Sequence, residues 1–336
     1  MKCCAHCFGD LTLQKTITDL ASDEGTCSFC ETTNVKLVDP KVLANIFAPL
    51  LAVYERVSEG PLLVERLATD WLLFDHPRLD LQRKKGLLAE ILDDGEVVRH
   101  PFAFAQSYVR DGLDLLWERL RDELMFSNRY FPEAGIDERR LEALLSLLEA
   151  IDVPTTWYRA RMQQGEQMYA LAEMGAPPRG QPSHGRANPA GIPYLYLGST
   201  EQTAVAEIRP HTGEVATVAE FAIEDGMRLL DLRNPRKLIS PFDFGDEDLI
   251  AGLYADIPFI ERLGFELTRP VLPSRAAIDY VPSQYLCEFI KKIGYDGVIY
   301  RSSVSDGMNV ALFSPSRAAA FSVRPRTVAC VSVDIK

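Results

Sequence analysis

Two groups of residues in this chain could carry chemistry, and they call for different ligands. The first is a set of cysteines: five of the seven lie within the first 30 residues, at Cys3, Cys4, Cys7, Cys27 and Cys30. Cys4-Ala5-His6-Cys7 and Cys27-Ser28-Phe29-Cys30 are two pairs with two-residue spacing, separated by 19 residues. Each pair can form a tight knuckle, and four thiolates close a tetrahedral site. The spacing therefore predicts structural zinc on Cys4, Cys7, Cys27 and Cys30, with Cys3 or His6 as substitutes for Cys4. Disulfides fit less well, because the polar N-terminus lacks the apolar core of a secretion signal. Cys287 and Cys330 sit in apolar segments and are expected in the core.

The second group is spread through the C-terminal half. Tyr158-Arg159-Ala160-Arg161 is followed by Gly185-Arg186-Ala187-Asn188-Pro189-Ala190-Gly191 and Tyr194-Leu195-Tyr196. Then come Ala204-Val205-Ala206-Glu207 and, much later, Tyr300-Arg301-Ser302-Ser303 with Asn309. Guanidinium forks suit a pyrophosphate, a tyrosine suits a flat ring, and one glutamate suits a cation developing on a sugar. Together they would make a nicotinamide dinucleotide site. Strand positions i and i+2 share a face, so Arg159 and Arg161 could line one wall, although Arg161 suits pairing with a core-edge acid equally well. Tyr194 shares the strand face of Tyr196, and core packing is the ordinary reading of either. The phosphate loop Gly-x4-Gly-Lys-Ser/Thr and the turn Gly-x-Gly-x2-Gly are both missing. The dinucleotide would thus be consumed rather than used for hydride transfer. No Gly-x-Ser-x-Gly elbow surrounds the serines, which leaves a serine hydrolase with little support.

These blocks, in this order, resemble the RES domain, over roughly Pro154 to Val328. The resemblance implies an ADP-ribosyltransferase-like fold, a split and curved sheet with a nicotinamide dinucleotide cleft. It also implies an enzyme that cleaves the nicotinamide–ribose bond of NAD, by hydrolysis or phosphorolysis. Nicotinamide leaves as a neutral molecule, so the barrier is the developing oxocarbenium ion, which a carboxylate stabilises. The family block Ala204-x-Ala206-Glu207 gives that work to Glu207; on pattern alone it would read as a solvated helix glutamate. The resemblance further puts Arg159 and Arg186 on the phosphates, with Arg161 beside them, and stacks Tyr196 on the nicotinamide ring. Ser303, or Ser302, would bond near the ribose or the attacking group, with Asn309 holding the same loop. One departure is Ser283-Gln284 after Tyr280-Val281-Pro282, where the family often has Thr-Gln; serine retains the hydroxyl. RES proteins are typically toxins of toxin–antitoxin pairs, so an antitoxin protein is an implied partner. Two rival readings are ADP-ribose transfer to a protein or nucleic acid, and a non-enzymatic zinc-and-helix interaction module.

Positioning these residues falls to a chain of 336 residues, long enough for two or three domains. With 47% hydrophobic and 25% charged residues it reads as an ordinary soluble protein, without a membrane span, and a cytoplasmic location is expected. A net charge of −12 and no concentrated basic face argue against direct nucleic-acid binding. Self-association into a homo-oligomer is left open. The expected division is a zinc knuckle over 1–36, a helical domain over 37–153 and the RES domain over 154–336. Within the helical region, Leu63, Leu67 and Trp71 mark one helix after Pro61, and Leu113, Leu116, Leu120 and Leu124 a second. Asp137 caps a third, with Leu141, Leu144, Leu145 and Leu148 inward. This region resembles the HEPN class found in some longer RES proteins, but Arg83 and His100 are too far apart to be that class's nuclease motif. Beyond Pro154, short strands replace long helices: Ile192–Leu197, Thr217–Ile223, Arg228–Leu232, Gly297–Tyr300 and Asn309–Phe313. A capping box at Ser199 to Gln202 opens a short helix carrying Glu207, Tyr285–Ile293 forms an apolar-faced helix, and Gly175 to Pro193 is a loop. The mixed order predicts an α+β domain.

Overall fold

A computed structural model describes residues 1–331 and separates them into two compact units, treated in turn. The first comprises Met1–Asp114 together with Arg236–Phe259. Helix α1 (Leu11–Leu20) starts where Asp10 accepts the Leu13 N–H at 2.8 Å, an N-cap that satisfies one of the orphan donors of the first turn. The ribbon β1 (Asp23–Gly25) and β2 (Val35–Leu37) is antiparallel. Next come α2 (Ala44–Ala52), β3 (Tyr54–Arg56), α3 (Leu63–Trp71), α4 (Leu81–Leu92) and β4 (Phe102–Phe104), with β3 and β4 paired. The predicted stripe Leu63, Leu67 and Trp71 is buried along α3. Trp71 Nε1 donates to the Tyr54 hydroxyl at 2.9 Å, and that hydroxyl donates to buried Asp70 at 2.8 Å. A polar group taken into a core needs such partners.

The second unit comprises Leu115–Pro235 and Ile260–Lys336, of which residues to 331 are described. It contains nearly all of α5 (Asp114–Phe126), then α6 (Glu138–Ser146), capped by Asp137 through the N–H groups of Arg139 and Arg140. Strands β5 (Thr156–Met162) and β6 (Leu195–Gly198) follow, then α7 (Glu201–Glu207), β7 (Val215–Ile223) and β8 (Leu229–Asp231). Helix α8 (Glu247–Glu266) begins in the first unit and ends in the second. Helices α9 (Ala276–Asp279) and α10 (Val281–Lys292) and strands β9 (Gly297–Arg301), β10 (Met308–Leu312) and β11 (Ala318–Thr327) complete it. The α+β class read from the sequence is the observed one.

Seven strands form one sheet in the order β11-β7-β5-β6-β10-β9-β8, antiparallel throughout except between β8 and β9. Its middle is narrow: β5 and β6 meet through the single pair Tyr158↔Gly198, whereas β5 and β7 pair over seven residues. The sheet is therefore split into halves of three and four strands. Alternation sorts the side chains. Trp157, Leu195, Leu197, Ala219, Phe221, Val310 and Leu312 share one buried core. Ala160 and Val218, from the intervening positions, pack under Ala204 of α7.

The structure departs from three expectations of the sequence. Residues beyond Pro154 do include a long helix, α8, of 20 residues. Pro258, Gly252 and Gly264 disguise it, yet Ile250, Leu253, Ile260 and Leu263 bury a helical stripe. The Ser199 capping box does not form: Thr200 is the N-cap, accepting the Thr203 N–H at 3.0 Å, and Ser199 instead accepts from Met308 N. Cys287 is buried as expected, but Cys330 is exposed beyond the end of β11.

Candidate functional site

Glu207 is the last residue of α7, and the helix is aimed by the strand before it and the loop across from it. Gly198 ends β6 directly under Ala204, where an added Cβ would lie 2.8 Å from the Ala204 nitrogen. Gly307 lies against Thr203 so closely that any side chain there would collide with the threonine hydroxyl. Two glycines thus let α7 sit down on the β6–β10 edge.

The carboxylate that emerges is held by two donors. Ser302 Oγ donates to Glu207 Oε1 at 2.7 Å, and Asn309 Nδ2 donates to the same oxygen at 2.6 Å. Asn309 lies on β10, buried to 4% exposure, opposite Tyr300 of β9 and Gly198 of β6. Burial pushes the neighbouring Tyr300 hydroxyl well above the usual phenol range, so it stays protonated beside the carboxylate. Ser302 is fixed by the turn that follows it: its N–H donates to the Gly307 carbonyl at 3.0 Å and its hydroxyl accepts from Val304 N at 3.2 Å. Oε1 is fully engaged; Oε2 has no hydrogen bond among the described residues.

Arg186 reaches the same region from the loop before β6. Its Nη1 donates to the carbonyls of Leu267, at 3.3 Å, and Arg269, at 2.7 Å, just past the C-terminus of α8. Its Nη2 donates to Ser303 Oγ at 3.1 Å, and its guanidinium lies 5.6 Å from the ring centre of Tyr280. A cation there meets unpaired helix-end carbonyls, a favourable placement. The loop itself is anchored from below and from the side. The Tyr196 hydroxyl accepts the N–H groups of Ala187 and Asn188, at 3.0 and 3.2 Å, and donates to Asn188 Oδ1 at 2.7 Å. Burial raises the Tyr196 pKa, which keeps that proton in place. At the first turn of α10, Ser283 Oγ donates to the Arg186 carbonyl at 2.6 Å, the bond for which the retained hydroxyl serves. Gln284 Nε2 donates to the carbonyls of Gly185 and Asn188, at 2.8 and 3.0 Å. Gly185 packs against the Asn188 amide and the Tyr196 hydroxyl, with no room for a Cβ.

A cavity of about 500 Å³ opens here, within the roughly 300–1,000 Å³ of small-molecule sites. Glu207, Arg186, Arg209, His184 and Tyr280 are among its lining, all within the second unit. In a chain of net charge −12 the pocket wall itself carries two arginines against one glutamate. Arg209, two residues beyond Glu207, is exposed and holds φ 49°, the left-handed region that costs a non-glycine residue about 1–2 kcal/mol.

The structure therefore brings Glu207, Ser302 and Asn309 into direct contact, and Arg186 with Ser303 beside them. Asn309 holds the carboxylate rather than the serine loop, and of the two serines Ser302 is the one that touches Glu207. Tyr196 presents its hydroxyl to the loop. Arg159 stands apart: it shares the strand face of Trp157, its Nη1 donates to the Tyr196 carbonyl at 3.0 Å, and its Nε is buried without a partner. Burial, reinforced by Arg161, lowers its pKa to about 10. Arg161 is exposed, donates to the Glu173 carbonyl and lies 4.7 Å from the Tyr169 ring centre. Sequence reasoning missed Arg209, His184 and Tyr280. A second cation within two residues of the chosen glutamate was the available signal.

In the first unit the four predicted cysteines come together. Cys4, Cys7, Cys27 and Cys30 are buried, their sulfurs all within 4.8 Å of one another, with Cys4–Cys30 and Cys7–Cys27 separations of 3.5 Å. Disulfides need about 2.05 Å, whereas thiolates around one zinc, at about 2.3 Å each, stand about 3.8 Å apart. Cys3 lies outside the group, bridging backbone to Val38, and His6 Nδ1 sits 3.9 Å from Cys4 Sγ. Thr32 Oγ1 contacts Cys30 Sγ at 3.2 Å.

Residues 156–332, more than half of the chain, match the RES domain family, and the chain belongs to that family. One chain of the M. tuberculosis MbcT–MbcA toxin–antitoxin complex matches it in structure with a TM-score of 0.33 and 15% identity. That match covers 56% of this chain and 93% of the other. Comparison with curated proteins gives no match. Among the described residues, no helix is long and apolar enough to cross a membrane.

Proposed function

We propose that this chain breaks the nicotinamide–ribose bond of NAD, with water or phosphate as the incoming nucleophile. The observation that carries this reading is the Glu207 carboxylate. Oε1 is pinned by Ser302 and Asn309, Oε2 is left over, and the residue lines a cavity walled by two arginines. A carboxylate fixed in this way does not need to reorganise as the oxocarbenium ion develops, which is how preorganised charge lowers a barrier. Oε2 is then the oxygen to take the ribose hydroxyl or face the ring cation. Nicotinamide departs neutral, so no proton donor is required at that end. Arg186, bonded to the carbonyls after α8 and to Ser303, places a fixed positive charge in the cavity; Tyr196 and Asn188 hold the loop that carries it. Arg159 fixes the Tyr196 carbonyl beside the strand joint, and Arg161 braces the Glu173 carbonyl and the Tyr169 ring.

A protein antitoxin that closes the cavity is the partner this reading implies. We further propose that Cys4, Cys7, Cys27 and Cys30 hold one zinc ion. Its contribution there is structural: its two positive charges offset half the charge of four thiolates, and it ties residues near the start of the chain to the ribbon that follows.

The test is nicotinamide release from NAD, with and without inorganic phosphate, followed by mass spectrometry. The expected products are nicotinamide with ADP-ribose or its phosphorylated form. Glu207→Gln should cut the rate at least about 100-fold with an unchanged unfolding midpoint. Full activity in that variant removes Glu207 from the chemistry, and label appearing on a macromolecule would favour ADP-ribose transfer.

A further inference from the structure

We infer that Arg209 is the residue of this cavity that grips the diphosphate of the ligand. The inference rests on the reading of the cavity as a NAD site and names a contact that reading lacks.

Two arginines of the Tyr158–Arg161 strand and two of the cavity lining are candidates, and their commitments differ. Arg159 is not among the residues that line the cavity; its Nη1 donates to the Tyr196 carbonyl and its Nε is buried. Arg161 is tied to the Glu173 carbonyl and the Tyr169 ring. Arg186 lines the cavity but uses Nη1 on two carbonyls and Nη2 on Ser303. Only Arg209 lines the cavity, is exposed, and has no side-chain hydrogen bond or ion pair among the described residues. Its whole donor fork is available, which is the property bidentate phosphate binding needs.

The backbone explains how it gets there. After Glu207 the α7 helix ends at Ile208, and Arg209 turns the chain through the left-handed region, its N–H donating to the Ala206 carbonyl at 3.0 Å. Continuing the helix would carry the side chain of residue 209 about 200° round the axis from that of residue 207, given 3.6 residues per turn. The left-handed turn instead lets Glu207 and Arg209 line one wall. Glycine is the residue expected at such a position. An arginine kept there brings a guanidinium to the cavity at the cost of backbone strain.

The probe is ADP-ribose, which carries the diphosphate and no scissile nicotinamide, with adenosine as the phosphate-free control. Calorimetric titration of the full chain is compared with Arg209→Gly and Arg209→Gln. The glycine variant removes the side chain while suiting the backbone, so it folds if any substitution does. Loss of a charge-assisted contact should weaken ADP-ribose binding about 10- to 100-fold and leave adenosine binding unchanged. Equal ADP-ribose affinity in Arg209→Gly overturns the inference. So does a parallel loss of adenosine binding, which marks a purely structural role, and so does a wild-type chain that binds no ADP-ribose. NAD cleavage is measured on the same wild-type sample. ADP-ribose bound through Arg209 without cleavage would leave the phosphate contact standing and sink the activity; cleavage with an indifferent Arg209 would do the reverse.

Discussion

At the scale of single residues, Glu207 is held in place by two other side chains. Ser302 and Asn309 lie 95 and 102 positions away in the chain, yet both end on the same oxygen. Removing one leaves the carboxylate with one donor and freedom to swing. Asn309→Ala is expected to lower the rate of nicotinamide release about tenfold, near the lower end for a hydrogen bond to a charge. Ser302→Ala should behave similarly. The double variant should fall short of the product of the two, since they share one acceptor; steady-state kinetics on the four proteins checks this. All three residues were legible from the sequence, though only because their blocks resemble a known pattern. Their chemistry alone did not single them out from other glutamates, serines and asparagines. Arg209 was not legible. Its availability depends on what the other arginines are doing, and side-chain commitment is a property of the folded state.

Elements were easier to read where one force decided them. Helix α3 follows its leucine spacing, α6 its leucine spacing and Asp137 cap, and β7 a run of β-branched and small residues. Where forces compete, the reading failed. Helix α8 holds a proline and two glycines but buries its stripe; β11 holds Pro325 and two arginines but lies at a sheet edge, where a missing N–H is tolerated. The start of α1 offers a test of such competition. Asp10 caps the helix, but it is only 4% exposed, and burial lifts its pKa from 3.8 to about 6. A carboxyl whose folded pKa is raised gives stability that is fully present below about pH 3.8 and lost as pH rises through 6. At neutral pH the charged cap is therefore held against its own desolvation. Asp10→Asn keeps the acceptor for Leu13 N–H and removes the charge. It should be more stable than wild type at pH 7.5, by up to about 3 kcal/mol for a shift of roughly two units. The gap should close by pH 4, as read from urea unfolding at both pH values.

For the whole molecule, the sequence boundaries at 36 and 153 do not anticipate that Arg236–Phe259 clusters with the N-terminal unit. A chain that leaves a unit and returns gives no local signal, because the return is decided by which surfaces bury each other. The cysteine cluster was the opposite case, since the spacing of the two pairs is local and written directly in the sequence. Elemental analysis of the purified chain should find one zinc per molecule, and Cys27→Ser should lose it. Because metal binding at such sites is worth on the order of 10 kcal/mol, that variant or a strong chelator should sharply lower the unfolding temperature. Glu207 chemistry measured below that temperature should survive, because every residue of the cavity lies in the other unit.

The outermost strand pair carries one more consequence, for the chain while it is being made. Ile223 of β7 waits for Ala318 of β11, 95 positions later by their numbering (318 − 223). At roughly 5–20 residues per second, that is about 5–20 seconds during which a newly emerged strand has no neighbour on one side. Glu207 is translated before that interval, and both groups that hold it come near its end. A growing chain thus carries that carboxylate through the next 95 to 102 residues of synthesis without the two side chains that hold it.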